Sequence, residues 1–225
     1  MEKIKIGDQV LYKNNQLIAF NKSVTVPVQT DSAETPSLLT LAERYCRHPL
    51  HLIHRLDQPA SGVILMAKNP KALAHLNEQF KDRTIEKIYL AVVKNLPEKE
   101  TDELHHFLLK KGKSNKSIVV EEDTKGSKAA ILSYKVIGKS DTYHLLEINL
   151  LTGRHHQVRA QLAAIGSPIK GDVKYGFRRS NKDRSIHLHA WKIKFNHPVT
   201  KEEETIIAPP PVDPVWDAFR ELISA

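Results

Sequence analysis

The segment His54-Arg55-Leu56-Asp57, within LHLIHRLDQPASGVILMAKN, holds the residues best suited to chemistry. Two cationic or cationisable side chains precede an acid at a turn, and an apolar-rich run, Gly62 to Lys68, leads away from it. The pattern sets a carboxylate on a loop at a sheet's end, with positive charge close enough to hold it ionised. An acid so placed suits nucleophilic attack. A loop aspartate that only caps a turn fits the same spacing.

A second cluster, Thr152-Gly153-Arg154-His155-His156-Gln157-Val158-Arg159, suits anion binding. A helix beginning here, with Thr152 as N-cap, attracts anions at its N-terminus, and Arg154 and His155 add side-chain donors. Arg159 follows His155 by a four-residue step, so it shares that face one turn deeper, where a more enclosed anion can sit. A basic exposed helix face over Val158 and Leu162 fits the same residues. Further cations, including Lys170, Arg178 and Arg179, lie in PIKGDVKYGFRRSNKDR and LKKGKSNKS beside Gly, Ser and Asn, loop-like chemistry suited to phosphates.

Rival chemistries lack their signatures. His51 and His54, His155 and His156, and His187 and His189 form histidine pairs, but neither H-E-x-x-H nor a cysteine pair accompanies them, so no metal is expected. The G-x-S-x-G of serine hydrolases, the G-x-x-x-x-G-K-[ST] phosphate loop and the dinucleotide G-x-G-x-x-G are absent.

These groups need elements to position them. VLYKNNQLIAFNK reads as a hairpin turning at Lys13 to Gln16, and Thr35 to Cys46 as a helix with Leu38, Leu39, Ala42 and Tyr45 on its apolar face. Ser61 to Lys68 is a buried strand, and Pro70 to Lys81 an amphipathic helix with Leu73, Leu76 and Phe80 inward. Lys87 to Lys94, Glu103 to Leu109, Lys128 to Ile137, Tyr143 to Leu151 and Ile186 to Phe195 read as strands, with Lys110 to Lys116 a loop or hairpin tip. Arg154 to Ile165 is a helix stopped by Gly166, and Pro214 to Ile223 a closing helix. No regular βαβ rhythm appears and turns such as GKSD are tight, which predicts an α+β fold with a mixed, mostly antiparallel sheet flanked by helices. One domain over residues 1–225 is expected.

The 225 residues carry a net charge of +8, which favours a polyanionic partner, nucleic acid above all. No apolar stretch is long enough to span a bilayer, the start MEKIKIGDQV lacks a secretory signal's features, and Cys46 is the only cysteine. A cytoplasmic address is expected, and in the absence of heptads or a long apolar surface helix, a monomer.

At these residues the chain resembles a known family. HRLDQPASG resembles the HRLDxxTSG signature of the RluA-type RNA pseudouridine synthases, and LLTGRHHQVRAQLAAIGSPIKGDVKYG resembles their TGRTHQIRxHLxxIGxPIxGDxxYG block. KIYLAVV is similar to the family's K-x-Y-x-A-x-V strand, and HLHAWKIKFNHP to its LHA…F-x-HP segment. The likeness runs in order from about Val10 to Pro209. It implies that Asp57 is the catalytic aspartate, that Tyr89 packs on the uracil and serves C5 proton removal, that Arg159 pairs with the aspartate, and that Arg55 helps hold flipped RNA. The implied reaction converts uridine in tRNA or large-subunit rRNA to pseudouridine without cofactor or metal, Asp57 attacking C6 of the base or C1′ of the sugar. A non-catalytic RNA-binding or chaperone protein of the same fold is the alternative; mere binding would not require a buried acid.

The chain departs from the family pattern at Ala60, where Thr is usual, at His155, also a Thr position, and at Ser23 and Thr25, which replace Pro and Gly in NKPxGxPV. The last two put the local turn in question. The N-terminal S4 RNA-binding domain of many relatives is not expected here.

Overall fold

The computed structural model describes residues 5–30, 36–112 and 114–224. In chain order its elements are β1 (Val10–Lys13), β2 (Leu17–Lys22), α1 (Leu38–Cys46), β3 (His51–Leu52), β4 (Ser61–Ala67), α2 (Pro70–Lys81), β5 (Glu86–Val93), β6 (Thr101–Lys111) and β7 (Lys116–Val120). There follow β8 (Lys128–Lys139), β9 (His144–Leu150), α3 (Gln157–Ala164), β10 (Leu188–Asn196), β11 (Glu203–Ile207), α4 (Pro214–Asp217) and α5 (Arg220–Ser224). The architecture is α+β with mixed, mostly antiparallel pairing, as the sequence leads one to expect. No described helix is long and apolar enough to cross a membrane.

The chain divides into two compact units. The first takes the residues up to Glu86 together with Ala190–Pro211. Its strands run in the order β1-β2-β4-β10, with β3 on β4 and β11 on β10. The expected hairpin forms: Asn14 Oδ1 accepts the N–H groups of Gln16 and Leu17, which closes the turn between β1 and β2. Every residue of β4 is buried, as its unbroken apolar run requires. Helix α2 has the predicted bounds, since Pro70 suits the first turn and the Asn69 side chain caps the N–H of Ala72. Helix α1 starts at Leu38 because Ser37 Oγ takes the N–H of Thr40; the expected start, Thr35, lies outside the described residues. Leu38 and Ala42 face the core, whereas Tyr45 is 40% exposed and does not extend that face inward.

The second unit comprises Lys87–His189 and the segment from Val212 onward. Its strand order is β5-β9-β8-β6-β7, with α3 packed on β6 and β7. The β6–β7 hairpin reaches further than its sequence indicates, because Lys110 pairs with Ser117 and Lys111 with Lys116, so the tip is shorter than Lys110 to Lys116. The expected helix from Arg154 begins only at Gln157. His156 sits in the left-handed region at φ 53, and the Gln157 side chain accepts both the Arg154 N–H and the Thr152 hydroxyl while donating to Ile131 O. Thr152 is therefore a bridge to β8 and not a helix cap. The closing helix divides into α4 and α5 at a tight turn where Phe219 N–H bonds Trp216 O and both aromatic rings are buried. β11 was not foreseen in the charged KEEET run; it forms as a partner of β10.

One glycine fixes the first unit. Gly62 has φ +118, and a Cβ there would lie 2.3 Å from Ala190 O and 2.4 Å from Ala190 N, so β4 and β10 meet backbone to backbone. Gly62→Ala is expected to destabilise by about 3 kcal/mol or more through strain and overlap combined, read as a lower midpoint in denaturant unfolding.

Candidate active site

In the first unit, Asp57 opens a turn that Ala60 N–H closes on Asp57 O at 3.1 Å, immediately before β4. Asp57 is half-buried, Arg55 is exposed, and Ala60, at the Thr position, is buried. His54 does not supply the positive charge expected of it. Its Nε2 accepts the Leu65 N–H at 3.0 Å and its ring stacks on Phe80, so the acceptor nitrogen must be unprotonated and the ring neutral.

Lys22, at the end of β2, is a cation close enough to Asp57 to feel its charge. It is 0% exposed, and its ammonium donates to Ser23 O (3.0 Å), Val26 O (2.9 Å) and Gln58 O (3.1 Å). Burial pushes its pKa down to about 7, against the opposing pull of the Asp57 carboxylate. Thr25 N–H also donates to Gln58 O at 3.0 Å, and Gln58 Nε2 returns a bond to Thr25 O at 2.8 Å. The turn put in question by Ser23 and Thr25 thus forms and is laced to the Asp57 turn. Thr25 adopts φ 68 to do so, a conformation that costs a β-branched residue about 1–2 kcal/mol.

In the second unit, Tyr89 lies on β5 opposite Ile148 of β9 and is 8% exposed. Arg159 is 4% exposed on α3; its Nε and Nη2 donate to the two carboxylate oxygens of Asp172 at 2.7 and 2.9 Å. Because α3 starts at Gln157, His155 precedes the helix and the expected four-residue step to Arg159 does not exist. His155 instead stacks on His156 with ring centroids 3.8 Å apart. Ser117 Oγ donates to His155 O at 2.6 Å and so accepts from His155 Nδ1 at 3.0 Å. Tyr175 OH accepts the Ser117 N–H at 2.8 Å and shares a hydrogen bond with His156 Nδ1 at 2.9 Å. Burial, reinforced by Arg159, His155, Lys174 and Lys110, lowers the His156 pKa to about 3 and so keeps the ring neutral.

The remaining predicted contacts are spread over the second unit. Arg154 is half-buried and its Nε donates to Ala129 O at 2.9 Å. Lys170 is half-buried, its Nζ 2.7 Å from Asn181 Oδ1, and burial lowers its pKa while Asp213 and Asp183 oppose the shift. Arg178 and Arg179 are exposed. Among the described residues no three His, Cys, Asp or Glu side chains converge as metal ligands.

Residues 16–164 match the RNA pseudouridylate synthase family. The chain belongs to that family. It is 32% identical, over 91% of its length and 66% of the relative's, to a ribosomal large subunit pseudouridine synthase C of Vibrio vulnificus. It is 33% identical, over 88% of its length and 89% of the relative's, to a tRNA pseudouridine synthase C of Haemophilus ducreyi. The solved structure of human RNA pseudouridylate synthase domain containing 1 matches with a TM-score of 0.76 at 25% identity, covering 97% of this chain and 90% of that one. The chain spans just under two thirds of the length of several curated relatives it matches.

The matched stretch of the pseudouridylate synthase family includes Lys22, Asp57, Tyr89 and Arg159 and ends before Asp172. Sequence reasoning missed Lys22 because a lone lysine closing an apolar strand reads as a surface residue, and only its place in NKSVTVPV marked it. Two expectations follow. Thr25→Gly should raise stability by about 0.5–1 kcal/mol, the strain relieved exceeding the added chain entropy, in thermal or urea unfolding. Lys22 has a folded pKa below its unfolded one, so the unfolded chain binds more protons between about pH 7 and 10.5. Wild-type stability measured relative to Lys22→Met should therefore be lowest below pH 7 and rise with pH above it, by at most about 1.4 kcal/mol per pH unit, in urea titrations across that range.

Proposed function

We propose that this protein is an RNA pseudouridine synthase that isomerises uridine in structured RNA, tRNA or large-subunit rRNA, with Asp57 as nucleophile. Family membership together with the half-buried Asp57 carboxylate on a braced turn supports this reading most directly. The basic excess, +8 over the chain, supports RNA as the partner. In the reaction the N1–C1′ bond breaks, the uracil turns, C5 bonds to C1′, the C5 proton leaves and N1 gains one. No electrons are exchanged with a cofactor and no water is consumed, so the side chains can supply all the chemistry.

Asp57 adds to C6 of the base or C1′ of the sugar, forming the transient bond that lets the base move. Tyr89 stacks its ring on the uracil and places its oxygen near C5 for the proton loss. Arg159 is the cationic partner of Asp57, and Arg55, Arg154, His155, Lys170, Arg178 and Arg179 contact RNA. The uridine leaves its stack to be reached, at about a few kcal/mol, offset by pocket and phosphate contacts. The proposal takes the chain as one catalytic domain acting as a cytoplasmic monomer.

The test is tritium release from bulk tRNA and ribosomal RNA labelled at uridine C5. Wild type should release tritium and Asp57→Ala should slow release by about 10³-fold or more while RNA affinity changes little. RNA binding without release by the wild type would instead mark a non-catalytic RNA-binding protein, and mapping of modified sites after gene deletion identifies the uridine.

A further inference from the structure

We infer that Asp172, in the GDVKYG segment, is a positioning residue that fixes the guanidinium of Arg159 for the reaction proposed above, on which this role rests. Arg159 and Asp172 are 4% and 1% exposed, so neither charge has the solvent that normally stabilises it. Their contact is a bidentate fork, Nε to Oδ2 at 2.7 Å and Nη2 to Oδ1 at 2.9 Å, the geometry that holds a guanidinium plane in one orientation. The fork engages two of the five N–H donors of the side chain, and by fixing the guanidinium plane it sets the direction of the other three.

The surroundings hold the carboxylate as firmly as the carboxylate holds the arginine. Asp172 N–H donates to Ile169 O, and Asp172 O accepts from both Tyr175 and Phe177, so its backbone is locked on either side. Gly171, at φ +88, is bounded by Asn181 and by Ser185 O, which a Cβ would approach to 2.8 Å. The Tyr175 ring lies 5.0 Å from the Arg159 guanidinium carbon, and its hydroxyl is fixed between Ser117 N–H and His156 Nδ1. A buried ion pair contributes little net stability over apolar residues of the same shape. Its value here is orientation: the same fork that cancels the buried charge sets where the remaining donors point.

The test measures single-turnover tritium release at saturating enzyme, and the Kd for the same bulk C5-labelled RNA, in wild type and four variants. Asp172→Asn should slow release by about a hundredfold, the scale of a misplaced catalytic group, with Kd changed by less than about threefold. In an Arg159→Lys background, which has no fork to align, the same replacement should cost less than about threefold. Asp172→Glu keeps the charge but shifts the fork and should slow release at least about tenfold with unchanged Kd. That variant decides the matter if Asp172→Asn does not fold. Wild-type rates in Asp172→Asn or Asp172→Glu, or an equal loss in both arginine and lysine backgrounds, would overturn the role alone. A wild-type enzyme that releases no tritium from either RNA overturns the proposed reaction and this role with it.

Discussion

An ammonium taken wholly out of water must find its hydrogen bonds inside the protein, and Lys22 finds them on three backbone carbonyls. Two of those carbonyls belong to the turn after β2 and the third to Gln58, next to Asp57. One side chain thereby joins a strand end, a strained turn and the loop that carries the acid. Moving any of the three would strand a buried donor, at a cost of about 1–3 kcal/mol or more for a charged group. The precision of the Asp57 loop follows from this constraint, since the loop has no regular secondary structure of its own between β3 and β4.

The same solution recurs in the second unit with a different acceptor. Arg159 is buried too, and a carboxylate on a separate segment takes two of its N–H groups. Lys22 suits carbonyls because its three protons point apart from a single atom; Arg159 suits a carboxylate because its fork matches two oxygens in one plane. Each unit thus fixes one buried cation through directed hydrogen bonds, and what results is placement more than stability.

Most of the fold was legible because its elements carry strong periodic signals. The unbroken apolar run of β4, the capped and proline-started α2 and the hairpin at Asn14 are each set by neighbours within a few residues. The helix start at Arg154 was not, because the Thr152 and Gln157 side chains bond across to β8, a partner over twenty residues away. The split between α4 and α5 depends likewise on burying Trp216 and Phe219, and β11 exists only because β10 offers it an edge. At the candidate site, Asp57 and Arg159 stood out by motif. Lys22 and the fork of Asp172 did not, since what distinguishes them is burial and distant partners, which spacing cannot express.

His155 stands at a position where Thr is usual in the family, and its ring packs on a histidine whose charge state burial decides. The two ring centroids are 3.8 Å apart, and the Tyr175 hydroxyl lies 2.9 Å from His156 Nδ1. Charging His156 would place a cation with little access to water beside Arg159, Lys174 and Lys110. With its pKa near 3, His156 stays neutral throughout the neutral range, so its part is to hold Tyr175, and through that ring the flank of Arg159. The imidazole of His156 therefore contributes shape and a hydrogen bond to this part of the second unit instead of a titrating charge.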